Sequence, residues 1–460
     1  MPKKKLVVVI GAGIAGLATA HYFPQNKDYE VLVVEKESYI GGLAHGFDHV
    51  TKNGEEFHFD FGPHKIYTEI PGIVDEMSKV TSLIKVRKFN SIFLKGSFYD
   101  FPLKLSQIAT RMPLTALRAG IDILLKPFTK LPDDSYENFL INRFGKTLYN
   151  LSFRDYSEKV WNTPANSLDK ELAIRRVAVS NIFQLIKGVL LKNHKEFSAE
   201  FFHYPPEGLF QLSEGLAKSI ESNGGKILRN TTVSSITIKD KKITSLMIGK
   251  KNYKPSVVIS TIFPDYLLNI INDSSRDKFV DSVVEKLRYQ PVSILYIILK
   301  KERALKDCWI FFPEKKYLFQ RVSEQKAFSP RTCPEGMTGL MVETTKQPSK
   351  ENINLMIKQL EGLGILKRDE VVEYFTKTGP RVYPVYYQGF LKHLNTVLDY
   401  IDGISGLYTI GRPGRYNYNN TDHSWDMALQ TYNHIINCGV DKGKNWELLK
   451  SRFDKYRIVD

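Results

Sequence analysis

The chain has 460 residues and carries 65 Lys+Arg against 50 Asp+Glu, a formal charge of +15. With 42 % hydrophobic and 25 % charged residues, its composition excludes a disordered chain, a collagen and a small disulfide scaffold. Cys308, Cys333 and Cys438 are far apart and odd in number, which excludes a disulfide framework or a metal knuckle and fits a reducing, cytoplasmic setting. At roughly 100–200 residues per domain, the length predicts two to four domains or one large interleaved one. The positive charge is scattered, as in KKK at 3–5 and KDKK at 239–242, and admits an anionic small molecule as substrate. No recognisable module points to nucleic acid as a partner.

The opening MPKKKLVVVIGAGIAGLATA has the look of a signal peptide but reads better as the start of a βαβ unit. Leu6–Ile10 is a short buried strand, Gly11-Ala-Gly13-Ile14-Ala15-Gly16 a turn, Leu17 to Phe23 a helix, and Val31–Glu35 a second strand. Gly11 permits the tight turn, Gly13 lets backbone approach a pyrophosphate, and Gly16 lets the helix pack on the strands. The helix N-terminus with Ile14 and Ala15 then offers N–H groups and partial positive charge to the anion. Glu35, 24 residues after Gly11 and followed by Lys36, stands where a carboxylate accepts the adenosine ribose hydroxyls. Six residues later come Gly41-Gly42-Leu43, whose paired glycines admit a second backbone stretch to the cofactor. This combined pattern resembles the FAD-binding signature of the superfamily of amine oxidases, protoporphyrinogen oxidases and UDP-galactopyranose mutases, and it implies FAD as cofactor. No apolar run long enough to span a membrane follows.

Phe57, Phe59 and Phe61 alternate with polar residues as a half-buried strand would, leading into Gly62-Pro63-His64. Segments 85–94 and 97–101 predict a hairpin turning at Lys95-Gly96. From about 104 to 200 the pattern is mostly helical, punctuated by prolines. The apolar, basic stretch Leu105–Leu131 reads as a core-packed helical pair, with peripheral contact to a membrane surface as its alternative. After 205 a helix ends at Asn223-Gly224, strands follow at Thr232–Ile238, Ile243–Ile248 and Val257–Ser260, and further strands at 292–299, 309–312 and 338–343 flank a helix near 351–363. Leu407–Ile410 is the final strand, before Gly411-Arg412 and a last helix capped by Asp422. The predicted fold is α/β. A Rossmann-like FAD domain is assembled from three segments (1–85, 205–285 and 400–445), with a helical insertion at 86–204 and an α+β substrate domain at 286–399.

The motifs beyond the cofactor loop are similar to those of UDP-galactopyranose mutase. Gly62-Pro63-His64 resembles a G-P-H motif that brings a histidine to the flavin. Tyr156-Ser-Glu-Lys-Val-Trp161 resembles a Y-T-x-K-x-W motif whose aromatics line a uridine pocket. Arg321, inside Phe319–Phe328, matches an arginine that binds diphosphate, and Tyr383-Pro384-Val385 matches Y-P-V. Gly411-Arg412 and Tyr416-Asn-Tyr418 resemble the final flavin-side motif, and Val233 stands where backbone would meet the adenine. The resemblance therefore implies catalytic-side roles for His64, Arg321, Tyr383 and Tyr418. It implies substrate contacts for Tyr156, Trp161, Arg176 and Asn420, and flavin-side roles for Gly411, Arg412 and Asp422. Two positions depart: the family's second arginine aligns with Ser180, and its Tyr-x-Asp with Tyr418-Asn419-Asn420. Adjacent Arg175 and Arg176 point about 100° apart on a helix, and the resemblance favours Arg176 for the pocket.

No metal set emerges from the cysteines and histidines, and no G-x-S-x-G hydrolase motif is present. Three functions remain open: an FAD-dependent oxidoreductase acting on an anionic small molecule, a pyranose–furanose mutase of a nucleotide-linked sugar using reduced FAD, and a flavin-binding protein without turnover. Neither the substrate nor the oligomeric state is set by the sequence.

Overall fold

The computed structural model describes residues 4–177, 200–440 and 442–458. Ser180 and the end of the expected helical insertion lie outside them. A five-stranded, wholly parallel sheet forms the floor of the molecule, in the order Leu407–Thr409, Val257–Ser260, Lys5–Ile10, Tyr29–Val34, Lys226–Leu228. Its strands are unbroken apolar runs because both faces are covered, and Val7, Val8 and Val9 have no exposed surface. The first helix, Ile14–Tyr22, is buried at every residue. It packs between the helices Phe210–Ser222 and Thr421–Cys438. The α/β Rossmann-like architecture thus draws its sheet from three well-separated stretches of chain.

A second, seven-stranded sheet is built around Tyr289–Leu299, which pairs antiparallel with Thr338–Thr344 on one side and Val371–Pro384 on the other. The two-residue period of that strand sorts its side chains between two cores. Leu295, Ile297 and Leu299 meet Met356, Ile357 and Leu360 of the helix Lys350–Gly362. Ile294, Tyr296 and Ile298 meet Phe57, Phe59 and Phe61. The alternating phenylalanines therefore bridge the cofactor side to the second sheet, and they bring the Gly62–His64 turn with them.

Three expectations are corrected. The segment expected as one strand over 85–94 is two, Ile84–Arg87 and Asn90–Leu94. The first pairs with Phe201–Tyr204. The second turns back on Ser97–Asp100 and joins the seven-stranded sheet through Trp309–Phe311, so the chain must break direction between them. The helical pair exists as Leu105–Arg111 and Pro113–Leu125 and packs on the core through Ile108, Met112 and Ala119, but the second helix does not bury its main apolar stripe. Small residues, Thr115 and Ala119, face inward, and Leu114, Leu117 and Leu124 stand exposed. The C-terminal helix expected at Asp422 begins at Thr421 with Asn420, not Asp422, as its N-cap, and a further helix, Gly443–Phe453, follows it. The Asn420 backbone N–H donates to His423 Nδ1 at 3.2 Å, which places Asp422 inside the first turn.

Candidate active site

Both sheets contribute to one cavity of about 890 Å³, within the range of cofactor and ligand sites. At its sheet end lie Gly11, Gly13, Ile14, Ala15, Glu35, Lys36, Gly41, Gly42, Leu43 and Val233. At the other end lie His64, Tyr156, Arg176, Arg321, Tyr383, Gly411, Arg412 and Asn420. Gly16, Trp161, Tyr418 and Asp422 do not line it.

The glycines divide by what a side chain would meet. A Cβ on Gly16 would lie 2.0 Å from the Gly11 carbonyl oxygen, so this position is closed by the protein itself. A Cβ on Gly13 would meet protein no nearer than 3.8 Å, and its φ of −72° is open to any residue. Nothing in the protein demands glycine at 13; the space it leaves belongs to the cavity. Gly41 meets the same turn, donating its N–H to the Ala12 carbonyl at 2.8 Å, and holds a φ of +100° that disfavours side chains. Next to these glycines the helix presents its unbonded first N–H groups. The Glu35 carboxylate is held in place by the N–H groups of Ala12 at 2.7 Å and Glu37 at 3.0 Å, one to each oxygen. A glycine cradle, a helix start and an oriented carboxylate are the donor set that the diphosphate and ribose of FAD require.

The opposite end is rich in cations and aromatic rings. Arg176 ends the helix Lys170–Arg176, and its guanidinium lies 5.3–5.5 Å from the ring centres of Trp161, Tyr383 and Tyr418. Trp161 and Tyr418 thus sit behind Arg176 rather than on the wall. Trp161 Nε1 donates to the Tyr418 hydroxyl at 2.6 Å, and that hydroxyl donates to the Pro384 carbonyl. Arg175 turns away, to Asn417. Arg412 donates from Nε and Nη2 to the Asn419 carbonyl at 3.0 and 2.8 Å. Burial, and then the charge of Arg176, hold its pKa below the ordinary value against an opposing effect of Tyr383.

Arg321 behaves differently from its neighbours. It forms a two-point ion pair with Glu343, and although burial alone would lower its pKa, the carboxylate reverses this and raises it. Glu343 is the one charged residue in the buried strand T-G-L-M-V-E-T, and that lone carboxylate was the available signal for a site residue not anticipated from the sequence. Gln320, adjacent to Arg321, also lines the cavity with a buried Oε1 that has no partner among the described residues.

His64 Nδ1 faces the Gly62 carbonyl at 2.9 Å and must donate to it, which leaves Nε2 as an acceptor. Burial, together with the charge of Arg412, pulls its pKa down to about 3, so the imidazole is neutral. Asp422 is buried, with Oδ1 lacking a partner among the described residues, and burial raises its pKa. Among the described residues no group of histidine, cysteine and carboxylate side chains is arranged to hold a metal ion. No helix there is long and apolar enough to cross a membrane.

Residues 9–76 match the NAD(P)-binding Rossmann-like domain family. A 1-hydroxycarotenoid 3,4-desaturase of Flavobacterium sp. (strain P99-3) is 24 % identical over 403 residues, 77 % of this chain and 79 % of that protein. A coproporphyrinogen III oxidase of Staphylococcus aureus is 26 % identical over 268 residues, 52 % of this chain and 56 % of that protein, so the chain spans little more than half of its length. Among solved structures, reduced UDP-galactopyranose mutase superposes with a TM-score of 0.83 at 18 % identity, covering 98 % of this chain and 99 % of that one. Putrescine oxidase bound to putrescine superposes with a TM-score of 0.63 at 14 % identity, covering 95 % and 99 %. Residues 9–76 thus carry a Rossmann-like dinucleotide-binding domain, and with its parallel sheet and glycine cradle the chain shares the overall fold of reduced UDP-galactopyranose mutase and putrescine oxidase.

Proposed function

We propose that this protein oxidises or reduces a small anionic molecule at FAD. Gly11, Gly13, Ile14, Ala15, Glu35 and Gly41–Gly42 would hold FAD, which would supply a ring able to exchange hydride with the substrate. The observation that carries the anionic class is the pairing of Arg176 and Arg412 across the ring end of the cavity. The two guanidinium groups are close enough for one to depress the pKa of the other, and an anion between them relieves that repulsion. Arg321 adds direction without net charge, because Glu343 neutralises it. Neutral His64 offers a hydrogen-bond acceptor rather than a third cation. Tyr156 and Tyr383 supply flat apolar walls that exclude water.

A second reading, a mutase of a nucleotide-linked sugar, rests on the near-complete superposition with reduced UDP-galactopyranose mutase. Arg176 and Arg321 would then hold a diphosphate. One experiment separates the two. The purified yellow protein is mixed anaerobically with a panel of carboxylates, porphyrinogens, amines and nucleotide sugars while the flavin absorbance is followed. Bleaching by a substrate, with recovery on adding oxygen or another acceptor, supports the oxidoreductase. Conversion of a nucleotide sugar only after dithionite, with the flavin still reduced afterwards, replaces it with the mutase.

A further inference from the structure

We propose that the helix Pro113–Leu125 and the turn after it form a docking face for an anionic lipid bilayer. On a helical wheel, Leu114, Leu117, Ile121, Leu124 and Leu125 fall within an arc of about 100°. All five are exposed, and Phe128, which continues the stripe, is 86 % exposed. The opposite arc carries Thr115, Ala119 and Asp122, with Ala116 and Ile123 partly buried against the core; Thr115 and Ala119 are buried, and Asp122 Oδ2 accepts the Thr147 N–H at 2.5 Å. The helix is thus seated on its neighbours, Leu105–Arg111 and Lys146–Ser152, by a side of small and polar residues with a single large apolar one, Ile123. Its bulkiest apolar residues face outward, the reverse of ordinary packing. A contiguous apolar stripe of this kind marks an interaction surface.

The charge around the stripe selects the occupant. Between Lys104 and Leu131 the chain has five basic residues, Lys104, Arg111, Arg118, Lys126 and Lys130, and one acid, the inward-turned Asp122. Apolar side chains rimmed by lysine and arginine match the boundary between acyl chains and anionic headgroups. A second copy of this chain would bury the same stripe but set Arg118 and its basic neighbours against their own equivalents. The membrane therefore satisfies both the apolar and the charged parts of the face. This assignment is independent of the cofactor reading.

The test uses the full, flavin-loaded chain in flotation with two kinds of vesicle: phosphatidylcholine alone, and phosphatidylcholine mixed with phosphatidylglycerol. The wild type is expected to float with the mixed vesicles, much less with the neutral ones, and to be released by salt. The triple variant Leu117→Ser, Leu124→Ser, Phe128→Ser should lose binding at least about tenfold with an unchanged flavin spectrum. Arg118→Glu should weaken it only on anionic vesicles. Equal flotation of wild type and triple variant, or none by either, overturns the proposal. A wild-type dimer in light scattering that the triple variant converts to monomer also overturns it, by giving the stripe to a second copy.

Discussion

The Glu35 carboxylate accepts the backbone N–H of Ala12 at 2.7 Å, tying the end of the second strand to the glycine turn that follows the first. Its other oxygen takes the Glu37 N–H, so both oxygens have inward partners and their remaining lone pairs face the cavity. Glutamine cannot reproduce this, because its amide nitrogen would confront one of the two N–H donors. Glu35→Gln should weaken FAD binding by roughly ten- to a hundredfold, the worth of a charge-assisted hydrogen bond. Quenching of flavin fluorescence on titrating apoprotein measures it, and an unchanged dissociation constant would remove Glu35 from the site.

Gly13 and Gly16 should fail in opposite ways. Gly13→Val meets little protein and should give a folded, colourless chain with a near-normal melting curve. Gly16→Ala forces its Cβ into the Gly11 carbonyl and should cost stability, about 1–3 kcal/mol or more. Circular dichroism and absorption spectra on both variants check the distinction.

Arg176→Met keeps a long side chain on the Trp161–Tyr383–Tyr418 cluster and deletes the charge. For an anionic substrate, KM should rise roughly ten- to a hundredfold, with the flavin spectrum unchanged. An equal KM for charged and neutral substrate analogues in the wild type would argue against an anion at this position.

Asp60 gives a stability prediction. It is fully buried, taking the Tyr204 hydroxyl on one oxygen and the Leu209 N–H on the other at 2.9 Å. Burial raises its pKa from 3.8 to about 7, despite these hydrogen bonds. The folded chain therefore keeps a proton that the unfolded chain releases at lower pH. Between about pH 4 and 7 the native state binds more protons, so stability falls as pH rises, by about 4 kcal/mol in total. Asp60→Asn should flatten this slope in urea midpoints measured across that window; parallel slopes in the two proteins would show that another group sets it.

The Lys159 ammonium sits among the backbone carbonyls of Phe312, Glu314, Tyr317 and Phe319 at 2.6–3.1 Å, sharing its three N–H groups among the four. The middle lysine of Tyr156–Trp161 is thus a clasp for the loop that leads to Arg321. Lys159→Met strips buried acceptors of their donor and should cost roughly 3 kcal/mol or more in urea unfolding.

Much of the cofactor half was legible because its chemistry is local. Gly11 to Gly16, Glu35 and Gly41-Gly42 carry the turn, the helix start and the strand end within a short stretch. Val257–Ser260 was equally plain, being a pure apolar run. The substrate side depends on partners distant in sequence. That Arg321 is neutralised by Glu343, or that Trp161 and Tyr418 stand behind Arg176, follows only from the register of the second sheet and from where a helix ends. Asn420 and Asp422 are both good capping types two residues apart, and the approach of the preceding chain chose between them. The period of Pro113–Leu125 shows an amphipathic helix but not which face meets the protein.

The parallel sheet also carries a consequence for biogenesis. The phosphate turn is synthesised nearly 400 residues before the edge strand Leu407–Thr409 and the helix Thr421–Cys438. The pairing that completes the floor beneath the dinucleotide thus waits for the intervening sheet to be synthesised and folded out of the way. A product that stops short of Leu407 lacks the edge strand of the sheet beneath the glycine cradle.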